Sequence, residues 1–367
     1  MASPGLQQWK VDKPWLELKC ALGEGPFYEK ETNSVRLVDI KKSQILTVSA
    51  ADKGDGSSLR VIQLDTRPTV TVDIEGVDPQ DRILIGVKHG VAVLDRQAGT
   101  YAMLVPFNEQ NNERIRSNDG AADPHGKLWL GSMTDIEYGE PQPEGFLARF
   151  GSPKSREDVL TGLSIPNGIG WSPDNKTMYF THSKSREVFA FDYSLETGAV
   201  SNKRLWYQHE GPGEPDGFRV DVDGNVWHAI WGESTVLKIN PEGKVIGSVT
   251  LPTRHITCVQ FVGTELVITS AADDEGNDLS KKYGGSIFKQ QQQQQQQQQA
   301  FALTTAALTP TSHWLRARGA WSVSRNPLQT SKLKNRSAAE EAGKYLVNAK
   351  PGSSQPSYDA LASINSL

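Results

Sequence analysis

The sequence predicts an all-β chain folded as a six-bladed β-propeller, and three observations lead there. Turn residues flanked by short apolar strands recur at Asn33, Asp81, Gly126, Asn175, Gly224 and Gly263, with successive spacings of 48, 45, 49, 49 and 39 residues. Repeats of that length belong to propellers. Each unit has room for four short antiparallel strands, and residues of helical period are scarce before position 330. A β-sandwich, the structural alternative, does not carry a period near 45.

The units follow in order. The first turns at Asn33, between Gly25-Pro26-Phe27-Tyr28 and Val35-Arg36-Leu37-Val38-Asp39. The second turns at Asp81 and continues through apolar runs at 83–87, 90–95 and 101–105. The third turns at Gly126 within Asp123-Pro124-His125-Gly126-Lys127-Leu128-Trp129-Leu130. The fourth is the clearest hairpin: a strand at 169–171, a turn at 172–176 and a strand at 177–180, with Asn167 falling just before the first strand. The fifth turns at Gly224 and the sixth at Gly263. A propeller must close or leave a raw sheet edge, so residues 15–21 are expected to supply the fourth strand of the sixth blade. The propeller then spans residues 14–289. Ten glutamines at 290–299 and an Ala/Thr/Ser-rich stretch follow, a composition that cannot bury apolar area. The tail, 290–367, is expected to be disordered, with at most a short helix over 337–347.

Composition excludes several classes of function. A net charge of −4 gives no basic footprint for nucleic acid, and no run of eighteen apolar residues is present to span a membrane. The N-terminus lacks the basic-then-apolar pattern of a secretory signal. Cys20 and Cys258 are too few for a disulfide framework and read as buried thiols. A cytoplasmic protein, monomeric or weakly homo-oligomeric, is the expectation.

In a propeller the innermost strand of each blade lines the central channel, so side chains at one register meet. Counting back from the turns finds Glu24 about nine residues before Asn33, and Asn118, Asn167, Asp216 and His255 eight before theirs. Pro, Asn, Asp and Gly are common in turns for purely local reasons; their coincidence at one height in several blades favours a functional cluster. Glu24, Asn167 and Asp216 offer two carboxylates and an amide oxygen, an all-oxygen set suited to a hard divalent cation. Arg116, two residues before Asn118 on the same strand, shares its face, and its fork could hold a substrate oxygen. Asp221-Val222-Asp223-Gly224-Asn225 lacks the ligand spacing of a calcium loop and reads as a hairpin turn; the acidic run at 273–278 reads as a solvated loop.

Leu22-Gly23-Glu24-Gly25-Pro26, Arg116-Ser117-Asn118-Asp119-Gly120, Pro166-Asn167-Gly168-Ile169-Gly170-Trp171-Ser172-Pro173-Asp174 and Pro215-Asp216-Gly217-Phe218 together resemble the SMP-30/gluconolactonase/luciferin-regenerating family, which includes regucalcin. The resemblance covers about residues 14–289. It implies one divalent metal in the channel, calcium first, with zinc, manganese or magnesium also accommodated. It places the metal ligands on Glu24, Asn167 and Asp216, substrate binding on Arg116 and Asn118, and the general base or acid on Asp216. The implied reaction is hydrolysis of a sugar lactone of the gluconolactone type to its aldonic acid. A non-catalytic calcium-handling propeller and an interaction scaffold are the competing expectations.

Overall fold

The fold was taken from a computed structural model, which describes residues 5–107, 112–152, 155–291 and 321–322. Alternation of apolar and polar residues over five to nine positions, broken by Asn, Asp and Gly turns, gives strands almost throughout. A short strand, β1 (Gln7–Lys10), comes first. Blade one is β2 (Gly23–Glu29), β3 (Ser34–Asp39), β4 (Gln44–Ser49) and β5 (Arg60–Gln63). Blade two is β6 (Pro68–Glu75), β7 (Arg82–Val87), β8 (Gly90–Asp95) and β9 (Thr100–Pro106). Blade three is β10 (Ile115–Ala122), β11 (Leu128–Thr134), β12 (Gly145–Ser152) and β13 (Ser155–Leu163). Blade four is β14 (Pro166–Trp171), β15 (Thr177–His182), β16 (Glu187–Tyr193) and β17 (Val200–Gln208). Blade five is β18 (Glu214–Val220), β19 (Val226–Trp231), β20 (Thr235–Ile239) and β21 (Val245–Thr250). Blade six is β22 (Ile256–Val262), β23 (Glu265–Ser270) and β24 (Phe288–Gln291), with a one-turn helix, α1 (Asp278–Tyr283), between the last two. Within each blade the strands pair in sequence order, antiparallel, as the sequence predicts. A two-residue strand, β25 (Trp321–Ser322), pairs parallel with β6.

Apolar faces of successive blades pack on one another all the way round. Val72 and Leu84 meet Leu128 and Phe150; Trp129 and Leu147 meet Met178 and Phe180; Tyr179 and Val188 meet Phe218 and Val226. Trp227 and Val249 then meet Ile256 and Leu266, and Val262 and Val267 meet Val35 and Leu37 of blade one. That last contact closes the ring. Two hairpin turns share a further device. Asp123 and Asp221 each accept the indole N–H of a tryptophan six residues on, Trp129 and Trp227, at 3.0 Å. Their other carboxylate oxygen accepts turn backbone N–H groups. The Asp221 turn is therefore structural, as expected, with its carboxylate spent inside the protein.

Closure differs from expectation. The stretch 15–21 does not form a full fourth strand; it makes a bridge from Leu16 to Ile287, with Cys20 N donating to Gly285 O. Lys19 has φ 55°, in the left-handed region, which breaks the extended run. β1 instead lies outside the expected boundary at residue 14 and adds a fifth, parallel strand to blade five, Trp9 packing on Trp227 with centroids 5.2 Å apart. The boundary at 289 falls inside β24, where Gln290 is buried and pairs with Leu266. The glutamines from 292 onward and the possible helix over 337–347 lie outside the described residues.

The inner strand of every blade slips register against its neighbour at one place. The slips fall between Glu24 and Phe27, Pro68 and Val70, Ser117 and Gly120, Pro166 and Ile169, Pro215 and Phe218, and Ile256 and Val259. Each is a bulge, which re-aims the extra side chain. The Pro/Asn/Asp/Gly motifs are thus not turns before strands: Asn167 lies inside β14, not ahead of it. Glycine follows the polar residue because the next inner strand is close. A Cβ on Gly168 would sit 2.4 Å from Phe218 Cδ1, and one on Gly217 would sit 2.4 Å from Cys258 Sγ.

Candidate functional site at the hub

The bulges face one another across the hub and are tied blade to blade. Thr69 Oγ1 and Ser117 Oγ lie 2.6 Å apart, joining blades two and three. Asn118 Nδ2 donates to Pro166 O at 2.9 Å. Ser183 Oγ, just after β15, donates to Pro215 O at 2.5 Å, and Thr257 Oγ1 donates to Gly23 O at 2.6 Å. Because the Ser183 hydrogen is used on Pro215, its oxygen is the acceptor for Asn167 Nδ2 at 3.1 Å. That fixes the Asn167 amide with nitrogen toward Ser183 and leaves the carbonyl oxygen for other partners.

The five candidate residues form one electrostatic cluster. Arg116 Nη1 donates to Asn118 Oδ1 at 2.8 Å and to Ser117 O at 2.7 Å, and both side chains are buried. Burial lowers the Arg116 pKa to about 10, with the charges of Glu24 and Asp216 among those opposing the fall. Burial raises Glu24 to about 8; the Asp119 carboxylate adds to the rise, while the Gly25 N–H and two arginines, Arg116 and Arg219, oppose it. Asp216 is pushed well above the carboxylate range by burial and then by Glu24 and Asp119, with the Asn167 amide opposing. Its Oδ1 is buried and has no hydrogen-bond partner among the described residues. Two desolvated carboxylates, of which Glu24 raises the pKa of Asp216, beside an orphaned carboxylate oxygen and an amide, form a set that a divalent cation would satisfy. No three His, Cys, Asp or Glu side chains converge as ligands among the described residues; the candidate set instead needs the asparagine.

His255 does not share this register. It stacks on Trp231 with ring centroids 4.1 Å apart and planes 5° apart, and its Nδ1 lies 2.9 Å from Ala272 O. Thr257 occupies the place of Asp216 in blade six, inside the bulge. Counting from Gly263 misleads because that turn is short: Val262 pairs directly with Glu265, whereas Val220 and Val226 enclose a longer loop. Both cysteines are buried free thiols, as expected, and burial raises their pKa values.

Other hub residues were not singled out by the sequence. Asp119, second residue of its bulge, acts electrostatically on both Glu24 and Asp216. Glu214 raises Asp216 further and is itself raised by burial; strand alternation from Asp216 could have found it. Arg219 donates to Gln260 Oε1 at 2.9 Å and to Pro26 O at 3.2 Å, linking blades five, six and one.

A family model described as SMP-30/Gluconolactonase/LRE-like region matches residues 22–272. The pentonolactonase of Haloferax volcanii is 30% identical over 272 residues, covering 71% of this chain and 86% of that protein. Regucalcin of Bos taurus is 32% identical over 273 residues, covering 70% of this chain and 86% of that protein. The solved structure of a luciferin-regenerating enzyme is 29% identical with a TM-score of 0.67, covering 74% of this chain and 92% of that one. Because that family model covers well over half of the sequence, the chain belongs to the SMP-30/gluconolactonase/LRE-like family.

Proposed function

We propose that the chain is a lactonase that hydrolyses a sugar lactone of the gluconolactone type to its aldonic acid, with one divalent cation, calcium foremost, held by Glu24, Asn167 and Asp216. The observation that carries this reading is the half-buried Glu24 carboxylate acting on the buried Asp216, with an unpartnered Asp216 Oδ1. The lactonase name of the Haloferax volcanii relative supports the reaction class. The folded domain is proposed to run from 14 to 289, extended by β1 and the end of β24.

A bound cation would supply Lewis acidity at the lactone carbonyl and offset the two carboxylate charges. Arg116 and Asn118 hold the sugar hydroxyls: the guanidinium fork is braced by Ser117 O and Asn118 Oδ1, and its Nε has no partner among the described residues. The Asp216 carboxylate takes a proton from the attacking water as the water oxygen bonds to the carbonyl carbon. The bond from that carbon to the ring oxygen then breaks, and Asp216 returns the proton to the ring oxygen. Held ionised beside the cation, the carboxylate can accept the proton and then return it.

The test is a pH-indicator screen of aldonolactones with chelated protein, adding back Ca²⁺, Mg²⁺, Mn²⁺ or Zn²⁺. Cation-dependent hydrolysis supports the proposal. Cation binding without turnover on any aldonolactone would favour the calcium-handling reading, and neither would leave the scaffold reading.

A further inference from the structure

Blade five departs from its neighbours at one buried position. The residue paired with the first position past the bulge is Arg36 in blade one, where it is ion-paired with Glu29, Gly86 in blade two, Leu130 in blade three, Phe180 in blade four and Ile268 in blade six. In blade five, the blade that carries Asp216, it is His228, opposite Phe218. The side chains of Leu130, Phe180, Ile268 and His228 are fully buried. An imidazole in an apolar position costs stability unless it is hydrogen-bonded. His228 Nε2 lies 3.0 Å from Asp216 O and 3.2 Å from Thr181 Oγ1, and Nδ1 has no partner among the described residues. A carbonyl can only accept, so Nε2 bears the hydrogen and donates it to Asp216. Ser183 meanwhile donates to the preceding carbonyl, that of Pro215. Two consecutive carbonyls at the bulge are thus held by side chains, one from blade four and one from blade five.

We propose that His228 is a positioning residue: as the Nε2–H tautomer it grips the Asp216 main chain and keeps the carboxylate aimed into the hub. The inference rests on the lactonase reading, which gives Asp216 its task. Its position is held in turn by the Phe218 ring, 5.2 Å away between centroids, against which Gly168 and Gly170 pack.

Two measurements test it. Long-range ¹H–¹⁵N correlation on the wild-type protein should report the Nε2–H tautomer; an Nδ1–H tautomer overturns the proposal. The second compares His228→Gln, whose amide nitrogen reaches the Nε2 position, with His228→Asn, whose nitrogen falls near Nδ1, and with His228→Phe, which copies Phe180. Manganese affinity by calorimetry, kcat and KM on a sugar lactone, and melting temperature are read for each. Asn and Phe should lose about 10–100-fold in cation affinity and kcat, with KM little changed, and Gln should restore both. Wild-type affinity and kcat in the Asn or Phe variant, or a Gln variant as impaired as Asn at equal melting temperature, overturns the proposal. Should the Phe variant not fold, the Gln–Asn comparison decides. A wild-type protein that binds no cation and cleaves no lactone refutes the lactonase reading instead, and the tautomer result still judges His228 separately.

Discussion

Removing the cation should make the stability of this protein fall with rising pH, and the hub supplies the size of the effect. Without a cation, burial and the nearby Asp119 charge lift Glu24 from the ordinary 4.5 to about 8. Below pH 4.5 the folded and unfolded chains both hold this proton, and nothing is lost. Above it the unfolded chain releases the proton while the folded one retains it, so stability declines until the pH passes the folded value. The rise corresponds to at most about 5 kcal/mol, at about 1.4 kcal/mol per pH interval of one. Between pH 5 and pH 8 about 3.5 kcal/mol of it is lost, which for a domain of this size is a melting temperature lower by roughly 6 °C at pH 8 than at pH 5. Melting curves of chelated protein across pH 5–8, repeated with excess Ca²⁺, would measure it. Calcium should flatten the slope because it binds the ionised carboxylates, and Glu24→Gln should reduce it without calcium, leaving the part that burial of Asp216 contributes. A chelated protein whose stability holds level or climbs over that range would contradict a raised Glu24 carboxyl.

Three further outcomes are expected. Asp216→Ala should abolish lactone turnover while the chain stays folded by circular dichroism; near-wild-type activity with cation present would exclude Asp216 as the acid–base group. Arg116→Ala should raise KM by about tenfold or more with a smaller fall in kcat, the loss of a hydrogen bond to a charged donor being worth about 1.5–3 kcal/mol, as steady-state kinetics would show. Gly168→Ala should destabilise by about 1–3 kcal/mol and lower kcat, because its Cβ would lie 2.4 Å from Phe218 and 2.8 Å from Asp216 O; denaturant melts and kinetics together check it.

Much of this architecture is legible in the sequence because propellers repeat. The turn spacing locates the blades, and the same spacing brings Glu24, Asn118, Asn167 and Asp216 to one hub. The sequence is ambiguous where one local pattern serves two geometries. Pro166-Asn167-Gly168 has the composition of a turn, yet it lies in a bulged strand, since the need for glycine comes from Phe218 in the next blade. His255 is misplaced because register counted from a turn inherits the length of that turn. The strand β1 carries too little apolar pattern to announce itself and is recognisable only from Trp9 on Trp227. His228 looks like an ordinary strand residue until the neighbouring blades show what its position otherwise holds.

Glu24, Asn167 and Asp216 are proposed to share a single ion. Crystals soaked in Mn²⁺ and examined by anomalous scattering test it most directly. One peak within about 2.0–2.6 Å of an oxygen from each of the three side chains is the predicted result; no hub peak, or one bound by other residues, contradicts it.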